Sequence, residues 1–311
     1  MTSSEVINNE ITKGKILVTG ANGQVGKALK KVLGDNCIAI SRDEIDLANP
    51  NSIQDIVEKY EPIAIINAAA YTTVDKAEEE ERIAFVINGD AAGELALYSF
   101  RHGIPFIHYS TDYVFSGEGS HKMSEDDVIS PLNAYGRSKL DGEMKIQAAS
   151  SKFPKAKFLI FRTSWVYDET GHNFLNTMIK LGKEKDTLSV VSDQVGAPTY
   201  ALDLAKYTVL SLTNAMQKKP FPSGIYNLCN SNETSWHGFA KEIFNILDEK
   251  NIEIKTREIK SIKTAEYPTP AKRPLNSRLN IEKFENSFDI NIPPWEDGLK
   301  RCISNMNITN N

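Results

Sequence analysis

The sequence predicts an α/β fold in which a doubly wound parallel sheet is joined to a smaller, mixed α/β C-terminal lobe. Three observations predict it. Short apolar, β-branched runs alternate with helical patterns from Lys15 to Arg162, an order typical of right-handed βαβ units. A glycine-rich turn directly follows the first of these runs. Beyond Arg162 the loops lengthen and proline and asparagine become more frequent, which indicates a change of architecture.

The individual elements follow in chain order. The predicted strands share β-branched and aromatic residues; they are Ile16–Thr19, Ile38–Ser41, Ile63–Ala68, Phe106–Ser110 and Phe158–Arg162. The helical stretches between the first four are Val25–Leu33, Ser52–Tyr60 and Glu80–Arg101. The C-terminal part contains strands Leu188–Ser192 and Gly224–Leu228 and helices such as Trp236–Asp248. We therefore expect a flexible tail over residues 1–13, a dinucleotide-binding domain over residues 14–165 and a second lobe over residues 166–311.

Composition excludes several functional classes. The 311 residues carry a formal net charge of −5 and a pI near 5.7, which argues against a nucleic-acid binder. The three cysteines lie far apart, so we expect free thiols in a reducing compartment. No secretory signal is evident, and the most apolar stretch, Ile63–Ala70, is too short to span a bilayer. A cytoplasmic protein without membrane contact is therefore expected.

The glycine-rich turn spans Gly20–Gly26 with the spacing Gly-x-x-Gly-x-x-Gly. Between a strand and a helix, such glycines allow a tight turn and a close approach of the backbone to a pyrophosphate. The N–H groups at the start of the helix then face the anion. A turn that binds nothing is the alternative, but the position after the first strand favours a Rossmann-like dinucleotide site. The spacing is typical of the short-chain reductase superfamily.

The end of the second strand indicates which dinucleotide binds. An acidic residue there would hold both ribose hydroxyls of NADH, whereas an arginine favours the additional phosphate of NADPH. This sequence has Ser41-Arg42 at the tip, so we predict NADPH. Asp43-Glu44 follows closely and keeps NADH as the alternative. Asp46-Leu47 then occupies the place where such folds contact adenine.

Tyr135 and Lys139 form the candidate catalytic pair, because Tyr135 alone among the 11 tyrosines has a lysine four residues later. This spacing places both side chains on one face of a helix. A neighbouring ammonium group stabilises a tyrosine phenolate, which makes tyrosine usable as an acid–base catalyst near neutral pH. A surface contact without function is the alternative reading, and the neighbouring strand ends argue against it.

A hydroxyl at the end of the fourth strand would complete this pair. Such folds bind ligands outside the carboxyl ends of their strands, and a hydroxyl there can donate to a substrate carbonyl as charge develops on its oxygen. Ser110 and Thr111 both qualify, and strand periodicity leaves open which of them points inward. After the third strand, Asn67–Thr72 offers small residues where a cofactor would lie flat, although core packing explains its alanines equally well.

These motifs together resemble the dTDP-4-dehydrorhamnose reductases, extended short-chain reductases that complete dTDP-L-rhamnose synthesis. The similarity extends from Lys15 to about Arg301, and its late motifs are more specific than the glycine turn. The matching segments are Gly20–Gly26, Asn67–Thr72, Val74–Glu78, Tyr109–Phe115, Tyr135–Lys139, Arg162–Tyr167, Asp193–Thr199 and Thr269–Leu279. The resemblance implies NADPH-dependent reduction of the C4 ketone of dTDP-4-dehydro-6-deoxy-L-mannose, with the second lobe binding this nucleotide sugar.

The resemblance also implies roles for individual residues. Tyr135 would donate the proton, Lys139 would orient cofactor and tyrosine, and Thr111 would polarise the sugar carbonyl, which resolves the Ser110/Thr111 alternative by analogy. Substrate contacts are implied for Thr111, Asp112 and Trp165. Cofactor contacts are implied for Gly23, Gln24, Val25, Asp46, Leu47, Ala70, Tyr71, Thr72 and Tyr109, to which the nucleotide motifs add Gly20, Gly26 and Arg42.

Trp165 and Arg273 each have two readings. Trp165 could pack in the core, but its place directly after the fifth strand favours a pocket. Arg273 could be a solvated charge, the usual state of an arginine. A nucleotide diphosphate needs cationic partners, however, and the rigid Arg273-Pro274 step would suit a diphosphate clamp.

Two departures from the family's pattern concern metal and cofactor. Family members that dimerise around a magnesium ion carry an acid on the first helix, where this chain has Lys27-Ala28, so no metal site is predicted. A homodimer is allowed by the resemblance but not specified by the residues. Ser41 replaces the acid common at the tip of the second strand, which supports NADPH. The five histidines show no metal-ligand spacing.

Two other functions fit part of the pattern. The regulatory subunit of methionine adenosyltransferase resembles the same family and retains the dinucleotide fold; the intact set of Thr111, Tyr135 and Lys139 weighs against that role. A reductase–epimerase acting on the UDP-linked sugar would need a further acid–base pair, which the sequence does not identify. The choice between thymine and uracil in the nucleotide stays open.

Overall fold

A computed structural model describes residues 14–308, so the expected tail over residues 1–13 lies outside the described part. The strands are β1 (Ile16–Thr19), β2 (Cys37–Ile40), β3 (Ala64–Asn67), β4 (Phe106–Thr111), β5 (Phe158–Thr163), β6 (Val166–Tyr167), β7 (Thr187–Val191), β8 (Val195–Gly196), β9 (Thr199–Tyr200), β10 (Gly224–Asn227), β11 (Thr234–Ser235), β12 (Glu258–Ile262) and β13 (Asn276–Ser277). The α-helices are α1 (Gln24–Leu33), α2 (Ile53–Glu58), α3 (Glu81–Phe85), α4 (Ala91–Arg101), α5 (Ala134–Ser150), α6 (Phe174–Glu184), α7 (Ala201–Gln217), α8 (Trp236–Glu249), α9 (Glu282–Phe288) and α10 (Trp295–Asn305).

Six strands form the central sheet in the order β10-β5-β4-β3-β1-β2, and every neighbouring pair is parallel. The predicted Rossmann-like α/β fold is thereby confirmed. The chain runs outward from β1 to β2 and then returns to β3 on the other side of β1. This reversal creates a crevice at the carboxyl ends of β1 and β3, where open parallel sheets bind their ligands.

Helices cover both faces of the sheet, as the almost wholly apolar strands require. Alternate residues of β1 separate the two cores. Ile16 and Val18 pack towards α1, α7 and α9, whereas Leu17 packs towards α2, α4 and α5. This double layer fixes the strand ends on which the candidate site is built.

The second lobe has its own core, formed mainly by apolar residues of α6, α8 and α10 against β7. The strand β10, which the sequence places in this lobe, instead pairs with β5 in the central sheet, and α7 packs on the same sheet. Residues on both sides of position 165 therefore share one sheet. The chain enters the second lobe after β5, returns to the sheet through α7 and β10, and leaves it again.

The predicted helix Glu80–Arg101 is interrupted by a π-helical turn at Val86–Asp90, between α3 and α4. Asn88 lies in this turn and is fully buried. Its side-chain oxygen accepts from the Tyr71 N–H at 2.8 Å, and its amide nitrogen donates to the Tyr71 carbonyl at 3.0 Å and to the Ser138 hydroxyl at 2.9 Å. The π turn, a feature common at functional sites, thus ties the segment after β3 to α5.

Two further expectations bear on the protein's surroundings. Within residues 14–308, no helix is long and apolar enough to cross a membrane. All three cysteines are free thiols, as predicted, and Cys229 and Cys302 are buried.

Candidate active site

The glycine-rich turn lies at the carboxyl edge of the sheet, between β1 and α1. Gly20 has φ of +72°, and a Cβ there would lie 2.7 Å from the backbone nitrogen of Ala69, so only glycine suits this approach to the segment after β3. Gly23 is the N-cap of α1, and no side chain caps this helix. The first turn of α1 also lacks acidic residues. Its N–H groups are therefore available to an anion.

Gly26 is where the turn and α1 approach most closely. A Cβ at this position would lie 2.1 Å from the Gly20 carbonyl oxygen and 2.9 Å from the Ala21 Cα, and backbone atoms cannot rotate away. We expect Gly26→Ala to lower the free energy of unfolding by about 1–3 kcal/mol. Displacing the N–H groups should also weaken NADPH binding by about tenfold, the loss of one good contact. Urea unfolding and a fluorescence titration measure the two effects.

Gly23→Ala is the matched control for this prediction. A Cβ at position 23 would lie 3.3 Å from the Gly20 carbonyl oxygen, and the φ of −75° suits any residue. The Gly20 carbonyl has to move by only a few tenths of an ångström, so this variant should lose much less stability than Gly26→Ala. Unfolding of both variants at the same urea concentration would contradict the steric explanation.

The tip of β2 stands beside the glycine turn, because the Ala21 N–H donates to the Ile40 carbonyl at 3.2 Å. Arg42 is exposed at this tip. The Glu44 carboxylate accepts from the Ser41 N–H at 2.8 Å, so this acid caps its own turn. A contact of Arg42 with an additional ribose phosphate stays a prediction.

The other predicted cofactor residues occupy different surroundings. Leu47 is buried beneath the β2 tip, whereas Asp46 is exposed and accepts from a backbone N–H in its own turn. Ala70 and Tyr71 are half-buried after β3, and Thr72 is exposed. Tyr109 differs from these residues because it lies in the core, with its hydroxyl 2.7 Å from that of Thr208 on α7. A cofactor contact of Tyr109 stays a prediction.

Thr111, Tyr135 and Lys139 come together at the end of β4. Tyr135 and Lys139 lie at the start of α5, which begins after Asn133; this N-cap accepts from the Gly136 N–H at 2.8 Å. The Thr111 hydroxyl lies close enough to the Tyr135 hydroxyl to lower the pKa of the phenol. The Ser110 hydroxyl is buried and has no hydrogen-bond partner among the described residues. The structure therefore places Thr111, rather than Ser110, beside the tyrosine.

Burial shifts the pKa values of Tyr135 and Lys139 in opposite directions. It raises the pKa of Tyr135 to about 12; the charge of Asp112 acts in the same direction and the nearby Thr111 hydroxyl opposes it. Burial lowers the pKa of Lys139 to about 7, against the opposing effect of Glu143. Tyr135 is therefore fully protonated at neutral pH and can donate its proton.

A buried ion pair supports the helix that carries this pair. Arg162 of β5 binds Glu143 of α5 through two hydrogen bonds of 3.0 Å and 2.7 Å, and both side chains are at most 1% exposed. A charged side chain so deeply buried is tolerated only when it is paired with an opposite charge. The pair fixes α5 against the sheet, one turn beyond Lys139.

Asp112 follows Thr111 directly and is 3% exposed. One carboxylate oxygen accepts from the Thr111 hydroxyl at 3.0 Å, while the other has no well-formed hydrogen bond within the described residues. Burial raises the pKa of Asp112 to about 6, although the hydroxyls of Ser277 and Thr111 lower it in part. The second oxygen is buried near Ser277, and a substrate contact of Asp112 stays a prediction.

Trp165 lies where β5 ends and is half-buried, with φ of +49°. Its ring stacks on that of Trp236 on α8 at 3.7 Å between centroids and 14° between planes. Trp236 in turn donates from its indole nitrogen to the Gln194 side chain at 3.1 Å. A non-glycine residue at positive φ is strained, and such strain concentrates at functional sites. The second lobe therefore holds Trp165 in place at the boundary between the two lobes.

Arg273 is half-buried and is bound by Asp75, in the segment after β3. Two guanidinium nitrogens lie 3.0 Å and 2.8 Å from the two carboxylate oxygens. The hydrogen bond from Arg273 is the main reason that the pKa of Asp75 lies below its usual value. The pair joins the predicted diphosphate clamp to the cofactor half.

Sequence reasoning missed three side chains that contact the predicted site residues. Trp236 stacks on Trp165, Asp75 binds Arg273, and His108 contacts Lys139. Asp75 and His108 stand inside or beside the recognised motifs, which is a signal for their segments but not for their partners. Trp236 lies in an ordinary amphipathic helix and gave none. Among residues 14–308, no group of His, Cys, Asp and Glu is arranged to hold a metal ion.

Comparisons with known proteins agree with this geometry. The family model described as the RmlD substrate binding domain matches residues 14–308. The dTDP-4-dehydrorhamnose reductase of Salmonella typhimurium is 43% identical over 297 residues, covering 94% of this chain and 97% of that protein. The protein of the same name from Burkholderia thailandensis is 42% identical, with coverages of 94% and 99%.

Solved structures lead to the same family. The dTDP-4-dehydrorhamnose reductase of Bacillus anthracis, in complex with NADP, has a TM-score of 0.84 and 34% identity, covering 94% of this chain and 99% of that chain. The structure of a dTDP-4-dehydrorhamnose reductase from Clostridium acetobutylicum has a TM-score of 0.83 and 37% identity, with coverages of 93% and 98%. The motifs, the fold and these relatives agree, and the chain belongs to the dTDP-4-dehydrorhamnose reductase family.

Proposed function

We propose that the protein reduces the C4 ketone of dTDP-4-dehydro-6-deoxy-L-mannose to give dTDP-L-rhamnose, with NADPH as the reductant. The observation that carries this proposal is the approach of Thr111 to Tyr135, with Lys139 one turn along α5, at the ligand-binding edge of the sheet. The relatives that share the fold over nearly their whole length bear the name of this reaction.

Thr111, Tyr135 and Lys139 have different roles in the reduction of the ketone. When bound, NADPH supplies a hydride to C4. Thr111 would turn its hydroxyl proton from the Asp112 carboxylate to the carbonyl oxygen as negative charge develops there. Tyr135 transfers its proton to that oxygen, which completes the alcohol and leaves a phenolate. Lys139 orients the tyrosine and the nicotinamide ribose. The lowering of the Tyr135 pKa by a Lys139 ammonium, which the sequence pattern predicts, is not seen here, because burial raises this pKa to about 12.

The cofactor half of the crevice fits a dinucleotide. The uncapped start of α1 and the turn Gly20–Gly26 offer N–H groups to the pyrophosphate. Arg42 would bind the additional phosphate of NADPH, and the Bacillus anthracis relative was solved with NADP. The further cofactor contacts in this proposal are Gly23, Gln24, Val25, Asp46, Leu47, Ala70, Tyr71, Thr72 and Tyr109.

The sugar nucleotide would lie towards the second lobe. Asp112 would accept a hydrogen bond from a sugar hydroxyl, and Trp165 would form a wall of the pocket. Arg273 would bind the diphosphate while Asp75 holds its guanidinium in place. A homodimer and a cytoplasmic location remain predictions from the sequence.

One assay separates this proposal from its rivals. NADPH and NADH oxidation are followed with the dTDP-linked and the UDP-linked 4-keto-6-deoxyhexose, and the product is identified by NMR. We expect faster oxidation of NADPH with the dTDP sugar and an L-rhamnose product. No oxidation with either sugar, together with copurification of a methionine adenosyltransferase, would establish the regulatory role instead. A product epimerised from the UDP sugar would establish the reductase–epimerase.

Protonation of Asp112 is expected to weaken binding of the sugar nucleotide at low pH. Its pKa of about 6 means that the carboxylate is charged above that pH and becomes neutral as the pH falls through it. A charged acceptor binds a hydroxyl more strongly than a neutral one. We expect KM for the sugar nucleotide to rise below pH 6, by about tenfold per pH unit, while the KM for NADPH changes little.

Asp112→Asn tests this pH dependence because it keeps the shape and removes the ionisation. The variant should bind the sugar nucleotide weakly at every pH and lose the step near pH 6. Asp35→Asn, an exposed residue beyond α1, serves as the control and should retain the step. Persistence of the step in Asp112→Asn would assign it to another group.

A further inference from the structure

A buried hydrogen-bond chain leads from Lys139 into the sheet. The Lys139 amine nitrogen lies 3.1 Å from His108 Nε2, and His108 Nδ1 lies 3.0 Å from the Asn67 amide nitrogen. The Asn67 side-chain oxygen accepts from the Thr19 hydroxyl at 2.6 Å and from the Ala69 N–H at 3.2 Å. The side-chain members of this chain are at most 2% exposed. The proposed reaction uses only its end, Lys139.

The backbone N–H of Ala69, at the far end of this hydrogen-bond chain, determines which side-chain atoms donate and which accept. The Ala69 N–H can only donate, so Asn67 must turn its oxygen towards it and its amide nitrogen towards His108. Because that amide nitrogen also only donates, His108 Nδ1 has to accept. A neutral imidazole whose Nδ1 accepts carries its proton on Nε2. His108 therefore directs an N–H at the amine of Lys139.

Burial keeps the imidazole neutral, since it lowers the pKa of His108 well below its ordinary value, and the nearby charge of Lys139 acts in the same direction. An N–H that faces an amine at 3.1 Å needs a lone pair there. An ammonium group has none. A protonated Lys139 would place two donors against each other, whereas the neutral amine accepts the hydrogen bond.

We infer that His108 is a positioning residue which presents an N–H to the Lys139 amine and thereby holds that amine unprotonated in the ligand-free protein. The inference rests on the proposed function for the meaning of Lys139, but its geometry does not depend on the substrate. Lys139 would then take up a proton from solvent as the cofactor binds, when the ribose hydroxyls and phosphate charge reach the crevice.

The charged groups around Lys139 are compatible with a neutral amine. Glu143, on the same helix, favours the protonated form, but its carboxylate already binds the Arg162 guanidinium of β5 through two hydrogen bonds. Tyr135, also on α5, is uncharged at neutral pH. Asp112, after β4, raises the pKa of Tyr135. Burial of Lys139 itself lowers its pKa to about 7.

The tautomer of His108 can be measured without substrate. Long-range ¹H–¹⁵N correlation spectra distinguish Nε2–H, Nδ1–H and imidazolium forms, and the chain has only five histidines to assign. His108 is identified as the signal absent from His108→Gln. We expect the Nε2–H form at pH 8.5, above the lysine pKa of about 7, where Lys139 is a neutral amine. An Nδ1–H or imidazolium form of the wild type at that pH would overturn the inference.

Asn67→Asp should switch the tautomer. The new carboxylate keeps one oxygen on Ala69 and presents a second acceptor to His108, so the imidazole proton moves to Nδ1. Nε2 then accepts from Lys139 and favours its ammonium form. We expect an Nδ1–H signal for His108 in this variant, and an unchanged Nε2–H signal in Asn49→Asp, which adds the same charge at an exposed position. Retention of Nε2–H in folded Asn67→Asp would also overturn the inference.

The kinetic consequence distinguishes a positioning role from a merely structural one. If cofactor binding requires protonated Lys139, the free-enzyme value of kcat/KM for NADPH falls as the pH rises through the lysine pKa of about 7. Asn67→Asp should move this fall upward by about one pH unit or more. An unshifted profile would overturn the inference, even with normal turnover. Failure of the proposed reaction would abolish the kinetics but leave the tautomer result standing.

Discussion

Replacing Tyr135 by phenylalanine is expected to lower kcat by about 10²–10⁴-fold, the usual contribution of a positioned proton donor. The substitution removes only the hydroxyl, which lies near that of Thr111. The edge-to-face contact of the ring with Tyr113, at 5.8 Å between centroids, stays in place. KM values for NADPH and the sugar nucleotide should therefore change little, because the lost interaction belongs to the transition state. Steady-state kinetics at pH 7 measure the effect.

Tyr113→Phe is the matched control, since it deletes the same atom from the neighbouring ring. Its turnover should remain within about threefold of the wild type, as a lost hydroxyl outside the reaction costs little. Unfolding curves of both variants exclude a loss through instability. Turnover of Tyr135→Phe within a few-fold of the wild type would remove Tyr135 from the reaction and favour the regulatory role.

The central fold was largely predictable because its signals are local. The five strands from Ile16 to Arg162 follow from apolar, β-branched runs, and the structure places their ends within a residue or two of the prediction. The place of Gly224–Leu228 was not predictable, because its composition suits either lobe. Pairing with β5 decides it, and such pairing is a tertiary effect that no local pattern carries.

The candidate site was likewise predictable from the sequence only in part. The spacing of Tyr135 and Lys139 predicts their shared helix face because a helix has a fixed period. The choice between Ser110 and Thr111 needed the packing of α5 against β4, which strand periodicity does not contain. The partner of Arg273 was beyond prediction as well, because Asp75 is 198 residues away. His108 resembled any buried strand residue until its contacts were visible.

Glu143→Gln is expected to have the largest effect on stability. Glutamine keeps the length and one acceptor oxygen, but it leaves the Arg162 guanidinium buried without its counter-ion. Removing one partner of a buried ion pair costs about 3–5 kcal/mol. This is such a buried pair, because its two hydrogen bonds measure 3.0 Å and 2.7 Å and its side chains are only 1% and 0% exposed. Urea unfolding should show the midpoint displaced to much lower denaturant.

Glu81→Gln provides the comparison, because Glu81 binds Arg137 at 2.8 Å with side chains 48% and 42% exposed. Exposed pairs contribute about 0–1 kcal/mol, so this variant should unfold almost as the wild type does. The double variant Arg162→Met/Glu143→Leu should recover much of the loss, since it removes both buried charges together. Equal destabilisation by Glu143→Gln and Glu81→Gln would mean that water reaches Arg162. The helix that carries Tyr135 and Lys139 would then be held by its apolar packing alone.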